Sequence, residues 1–296
     1  MPPPRRPAAG SYLLKLDGKA CGFLKSVEGG EATAEVVRIP GPAGDDDPKR
    51  LGPTRFRPLM LQLDLSMAQP VYEWIAASWR ANPPRKNGSV VMLDRGLEAK
   101  SERQFFDAIV TETTIPALDA SSRDPAFLAV QLNPARTSFG PASGKAGSAA
   151  GRPEQKLWLP SNFRLAIDGL DCSKVAKIDA FVVKQSAADD SVGRDRGEPS
   201  TLRVRFPDLR ISLSESSAQS WVDWHKSFVI DGNSGRGEQR DGSLLLLAPD
   251  LQSQLARIEL VGLGIFSLVS DKAEVGADQI RRMTASLYCT RMAIKV

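Results

Sequence analysis

The sequence predicts a mainly β protein made of two tandem β-barrel or β-sandwich domains, each with one short flanking helix. Three observations predict it. A single order of patterns runs twice through the 296 residues. Apolar residues alternate with period two over most patterned segments, as strands require. Each copy holds one short helix-spaced stripe, and one helix cannot cover a six-stranded sheet, so the sheets must bury their own apolar faces. The expected boundaries are an N-terminal disordered arm over 1–10, domains over 11–139 and 158–296, and a flexible linker over 140–157.

The first copy opens with Tyr12-Leu13-Leu14-Lys15-Leu16-Asp17-Gly18 and then Cys21. The second opens with Phe163-Arg164-Leu165-Ala166-Ile167-Asp168-Gly169 and then Cys172, an offset of 151. Both read as a strand entering an Asp-Gly hairpin turn. A second strand is expected over 33–39 and over 180–184. Long polar loops follow, Pro40 to Arg57 and Ser186 to Thr201, with little apolar content to bury. Loops of this length in compact domains are uncommon unless functional or disordered.

Alternation returns with Leu59, Leu61, Leu63 and Leu65, and again with Leu209, Ile211 and Leu213. Helical stretches follow over 68–80, carrying Trp74 and Trp79, and over 216–228, carrying Trp221 and Trp224. Next, Asn87-Gly88-Ser89-Val90-Val91-Met92-Leu93 matches Asp241-Gly242-Ser243-Leu244-Leu245-Leu246-Leu247 at an offset of 154. Held without gaps, that offset sets Arg103 on Arg257, Ala108 on Gly262, and Phe105 and Phe106 opposite Glu259 and Leu260. Final strands are expected over 127–132 and 283–294. Between the copies, Gly140 to Gly151 is a Gly/Ala/Ser linker able to span about 20 Å, so the domains can sit side by side.

Composition narrows the function classes. The chain has 39 Lys and Arg against 35 Asp and Glu, and the balance holds within each half, so it gives no basic footprint for nucleic acid. No apolar run approaches the ~20 residues of a membrane span. The three cysteines, Cys21, Cys172 and Cys289, have no metal-ligand spacing and read as reduced thiols in a cytoplasmic protein. His225 is the one histidine, which leaves catalytic triads and zinc sites without their usual parts. Asp45, Asp46 and Asp47 lack the spacing of a calcium loop. Gly262 and Gly264 lack the βαβ setting of a nucleotide fingerprint. The expectation is therefore no enzyme, no cofactor and no metal.

The order of elements resembles that of the phage tail-tube proteins, relatives of Hcp of type VI secretion. Three features carry the resemblance. They are the opening strand ending in Asp17-Gly18 with Gly22-Phe23 and Val27-Glu28-Gly29-Gly30, the Trp74 helix after a Leu-alternating strand, and Phe105-Phe106-Asp107-Ala108-Ile109-Val110 leading to Ile115-Pro116-Ala117-Leu118-Asp119-Ala120. It covers about residues 12–135 and, more weakly, 161–296. The resemblance implies tail-tube-like barrels that assemble into six-domain rings and stack as the inner tube of a contractile injection system. It further implies loops that reach neighbouring domains, and partners among tube, sheath or baseplate proteins. Doubling departs from the single-domain pattern. Three chains would then close a pseudo-sixfold ring, with a hexamer of chains as the alternative. The candidate inter-subunit contacts are Asp45, Asp46, Asp47, Lys49 and Arg50 in the first loop, and Arg194, Asp195 and Arg196 in the second. A two-domain binding module, with the tryptophans as exposed platforms for a carbohydrate or protein ligand, is the competing reading. Assembly in the cytoplasm and incorporation into a tail or injection particle complete the expectation.

Overall fold

The computed structural model describes residues 10–39, 49–80, 83–144, 158–187, 202–271 and 281–296. The first half contains β1 (Ser11–Leu16), β2 (Lys19–Gly29), β3 (Ala32–Arg38), β4 (Lys49–Phe56), β5 (Leu59–Leu63), α1 (Gln69–Ser78), β6 (Lys86–Leu93), β7 (Ala99–Ile115), β8 (Leu118–Asp119), β9 (Leu128–Asn133) and β10 (Arg136–Pro141). The second contains β11 (Phe163–Ile167), β12 (Val175–Ile178), β13 (Phe181–Ala187), β14 (Leu202–Arg205), β15 (Leu209–Ser214), α2 (Gln219–His225), β16 (Arg240–Leu247), β17 (Gln254–Ser270) and β18 (Arg282–Lys295). The fold is mainly β, as the alternation predicts.

Six strands of the first half close a barrel in the order β7-β6-β1-β2-β5-β9, with β9 returning to β7. The β1–β2 hairpin turns at Asp17 and Gly18, both with positive φ, so that Leu16 faces Lys19. This is the turn that an Asp-Gly pair favours. Leu59, Leu61 and Leu63 point into the barrel while Met60 and Gln62 point out. The second half follows the order β11-β16-β17-β18-β15-β12, but β11 and β12 do not pair and the barrel stays open. Asp168-Gly169 therefore does not start the hairpin that the sequence pattern suggests. The backbone of Asp171 is drawn to α2 instead: its N–H donates to Ser220 Oγ at 3.0 Å, and its carbonyl accepts from Trp221 Nε1 at 2.8 Å.

Other differences from the sequence reading are local. The long strand β2 fills residues expected to be turn and connection, and β4 occupies the last part of the polar loop read over 40–57. A β-bulge between Leu24 and Ser26 breaks the period-two signal of β2. β10 carries the first half through Pro141, into the segment read as linker. The helix over 216–228 is split into a 3-10 turn, α2 and a π-helical turn over Lys226–Ile230.

Strand register also corrects the alignment of the halves. In β7 a bulge lies between Val110 and Glu112 against β9; in β17 one lies between Ile265 and Ser267 against β18. Asp107 has φ 48 and its N–H meets Asn87 Oδ1 at 2.9 Å. Gly262 has φ 67 and its N–H meets Asp241 Oδ1 at 2.9 Å. These pairs set β7 against β17 at an offset of 155, so Arg103 corresponds to Ile258, Ala108 to Leu263, and Phe105 and Phe106 to Leu260 and Val261. The connection from β16 to β17 is one residue longer than that from β6 to β7, which the ungapped offset of 154 misses.

Most buried apolar residues of both halves form one contiguous cluster, and Leu13, Phe23, Val91 and Leu93 form a second, smaller one. Trp74 stacks on Phe105 with ring centroids 6.4 Å apart and planes 12° apart, and its indole N–H donates to Pro84 O at 2.8 Å. Trp224 occupies the equivalent place, donating to Glu238 O at 3.3 Å and meeting Phe228 edge-on. The three cysteines are free, Cys21 and Cys289 buried and Cys172 half-buried. Burial pushes each thiol above its ordinary pKa, since desolvation disfavours the thiolate. In a thiol-labelling time course on the native protein at pH 8, Cys172 should react first and Cys21 and Cys289 only after denaturant is added. Rapid labelling of all three would contradict this packing.

Candidate functional site

The distinctive site is a seam between the halves. β13 leaves its own half and adds to the edge of β7, antiparallel, with Phe181 facing Ile115, Val182 facing Thr114, Val183 facing Thr113 and Lys184 facing Glu112. β14 follows on β13, so the sheet of the first barrel continues into strands of the second half. Edge strands with unpaired N–H and C=O groups invite this kind of addition. Phe181, Val183, Thr113 and Ile115 are buried at the seam. The Lys184–Glu112 ion pair, 3.1 Å between charged atoms, lies on its exposed side and contributes little. A second strand pairing crosses between the halves at β8 and β12, where Asp119 faces Lys177 and Leu118 faces Ile178. Above the seam, α1 packs on β18, with a cleft between them lined by Tyr72, Ala76 and Trp79 on one side and Met292, Ile294 and Val296 on the other.

The counterpart of the β13–β14 arm is the β3–β4 ribbon, which is a separate two-stranded sheet. Its root turns at Gly29 and Gly30, whose φ values of 88 and 79 suit only glycine well. Arg103 holds that root, donating to Gly29 O and pairing with Glu31 at 2.9 Å, and Thr137 Oγ1 donates to Gly30 O at 2.6 Å. The Arg103 hydrogen bond also holds the Glu31 carboxyl below its usual range. Beyond the root the ribbon exposes apolar side chains, Val36 at 59% and Leu51 at 71%. Further exposed apolar groups are Phe139 on β10, Val229 and Ile230 after α2, and Phe266 and Val269 on β17.

Of the candidate contact residues, Lys49 and Arg50 lie at the outer end of this ribbon, paired with Arg38 and Val37, and both are exposed. The rest, Asp45, Asp46, Asp47, Arg194, Asp195 and Arg196, lie outside the described residues. The exposed Val36, Val37 and Leu51 of β3 and β4 are not among the residues singled out from the sequence; three apolar residues outside an alternating core pattern are the available signal. It also missed the seam, because which edge a strand joins is a non-local choice.

The tryptophan platforms of the competing reading are overturned. Trp74, Trp79, Trp221 and Trp224 are 2%, 4%, 0% and 4% exposed, so none presents a face to a ligand. Among the described residues no cluster of His, Cys, Asp or Glu has the arrangement to hold a metal ion, and no helix is long and apolar enough to cross a membrane.

Residues 9–136 match the family described as T4-like virus tail tube protein gp19. Similar solved structures include the tube-terminating cap of the anti-feeding prophage, 18% identical with a TM-score of 0.41, covering 48% of this chain and 95% of that one. The sheath-tube complex of the extracellular contractile injection system PVC contains another, 16% identical, TM-score 0.41, covering 47% and 95%. Hcp1 from Flavobacterium johnsoniae is 18% identical, TM-score 0.30, covering 46% and 98%. No curated protein matches the sequence.

Proposed function

We propose that the chain, whose residues 9–136 match the family described as T4-like virus tail tube protein gp19, is a structural protein of a phage tail or contractile injection system. It forms a ring of the inner tube, or an adaptor ring at the tube's end or baseplate, and carries out no catalysis. The observation that supports this most is the addition of β13 to β7. One barrel's sheet grows by strands from the next half, which is the kind of contact that can be repeated around a ring. The two halves act as a tandem duplication, so three chains supply six tail-tube-like domains in pseudo-sixfold order. Tube, sheath and baseplate proteins are its partners, and assembly takes place in the cytoplasm before the particle is complete. Lys49 and Arg50, with Asp45 to Asp47 and with Arg194, Asp195 and Arg196 in the second loop, dock on neighbours by charge complementarity.

Negative-stain images of the purified full chain test this reading. Annular particles whose class averages show threefold or sixfold order, some of them stacked end to end, are the expected result. Uniform compact particles without a central hole, at every concentration tried, would count against a ring.

A further inference from the structure

Two of the contacts that join the halves inside one chain, β13 on β7 and α1 on β18, have unpaired counterparts among the described residues, and from them we infer the interface between copies. The inference rests on the ring reading above and specifies its register. On the side opposite β18, β16 pairs with β17 only as far as Leu263, and no described strand pairs beyond it. This is the stretch that corresponds, at offset 155, to the part of β7 on which β13 is seated. In the first half, β3 pairs with β4 on one side and with no described strand on the other.

Phe56 to Leu59 and Phe206 to Leu209 run without a gap at an offset of 150, which sets Arg55 on Arg205. Thr33 faces Arg55 as Lys184 faces Arg205, so β3 and β13 correspond at an offset of 151. Carrying the internal register across gives the intermolecular one. Glu31–Thr33 of one copy lies antiparallel to Ser267–Val269 of the next, with Ala32 opposite Leu268 and Thr33 opposite Ser267. The exposed Val269 lies within this contact.

The helix layer gives an independent match. Inside the chain, Tyr72 and Trp79 of the α1 region face Met292 and Ile294 of β18. The corresponding helix positions in the second half, at offset 150, are Val222 and Val229, and both are exposed. The position corresponding to Ile294 is Phe139, which is 69% exposed. A second copy seats Phe139 against Val222 and Val229. Ala32 replaces the larger Val183, so the strand contact between copies buries less than the one inside the chain and depends more on these three side chains. Each copy offers the arm from its first half and the edge from its second. The contact is therefore heterologous, and it closes only if successive rotations complete a circle.

The test is a cysteine pair, Thr33→Cys with Ser267→Cys, in the full chain. Directly opposed residues in an antiparallel ladder bring Cβ atoms within about 4.5–5.5 Å, close enough for a disulfide after slight adjustment. Under mild oxidation the expected result is species of two and three chains that reductant reverses, absent with either single variant. Val229→Asp is expected to raise the concentration needed for assembly roughly tenfold or more, as loss of a central apolar contact does, with unfolding by urea unchanged because Val229 is exposed in the single chain. If the double variant has the mass of a ring but forms no cross-link, this register is wrong and ring assembly stands. If it is a single chain at all concentrations, both fall.

Discussion

Trp221→Ala should cost about 3–5 kcal/mol of stability, read as a shift of the urea midpoint at unchanged slope. Trp221 is fully buried, in the core shared by both halves. Its removal leaves a large cavity under the open second barrel. It also deprives the Asp171 carbonyl of its indole donor. That bond and the Ser220 hydroxyl together hold residues 170–174 toward α2, so the variant should loosen this connection as well. Hydrogen exchange should therefore rise first at Asp171 and Val175. Trp221→Phe keeps most of the volume and loses only the N–H; it should fall between wild type and alanine. Equal stability for alanine and wild type would show that the second half does not pack around this indole.

Val183→Asp should detach β13 and β14 from the first barrel. Val183 is 2% exposed and faces Thr113, itself buried. A carboxylate placed there shares its face with Phe181 on β13 and with Thr113 and Ile115 on β7, none of them cationic, and burying an unpaired charge costs several kcal/mol. The alternative for the chain is to release the strand. The expected result is early proteolytic cleavage within β13 and β14 while the barrel of β1, β2, β5, β6, β7 and β9 stays protected. Lys184→Ala, one residue along, removes only the exposed ion pair with Glu112 and should change stability by less than about 1 kcal/mol. If both substitutions behave alike, the seam is not held by its buried side.

What the sequence disclosed follows from which signals are local. The alternation of Leu59, Leu61 and Leu63, the Asp17-Gly18 turn and the tryptophan stripe each depend on neighbours a few residues away, and each is found in the fold. The strand β2 was hidden by its bulge and by Gly22, which break the period. β4 was hidden because all its side chains are exposed or half-exposed, so it carries no buried face to read. The open second barrel depends on a contact between Asp171 and Trp221, fifty residues apart, with no pattern of its own. The assembly surface was legible only as long polar loops. The charged tips of those loops lie largely outside the described residues, and the exposed apolar residues Val36, Leu51, Phe139 and Val269 are scattered over four strands, so no local pattern groups them.

In the proposed ring, copies of this chain add edge to edge and close. Light scattering on the purified full chain over a wide concentration range measures it most directly. A plateau at the mass of three 32.0 kDa chains, or at a whole multiple of it if rings stack, is the expected result. A mass that stays at one chain, or one that climbs without a plateau, would contradict closure through this seam.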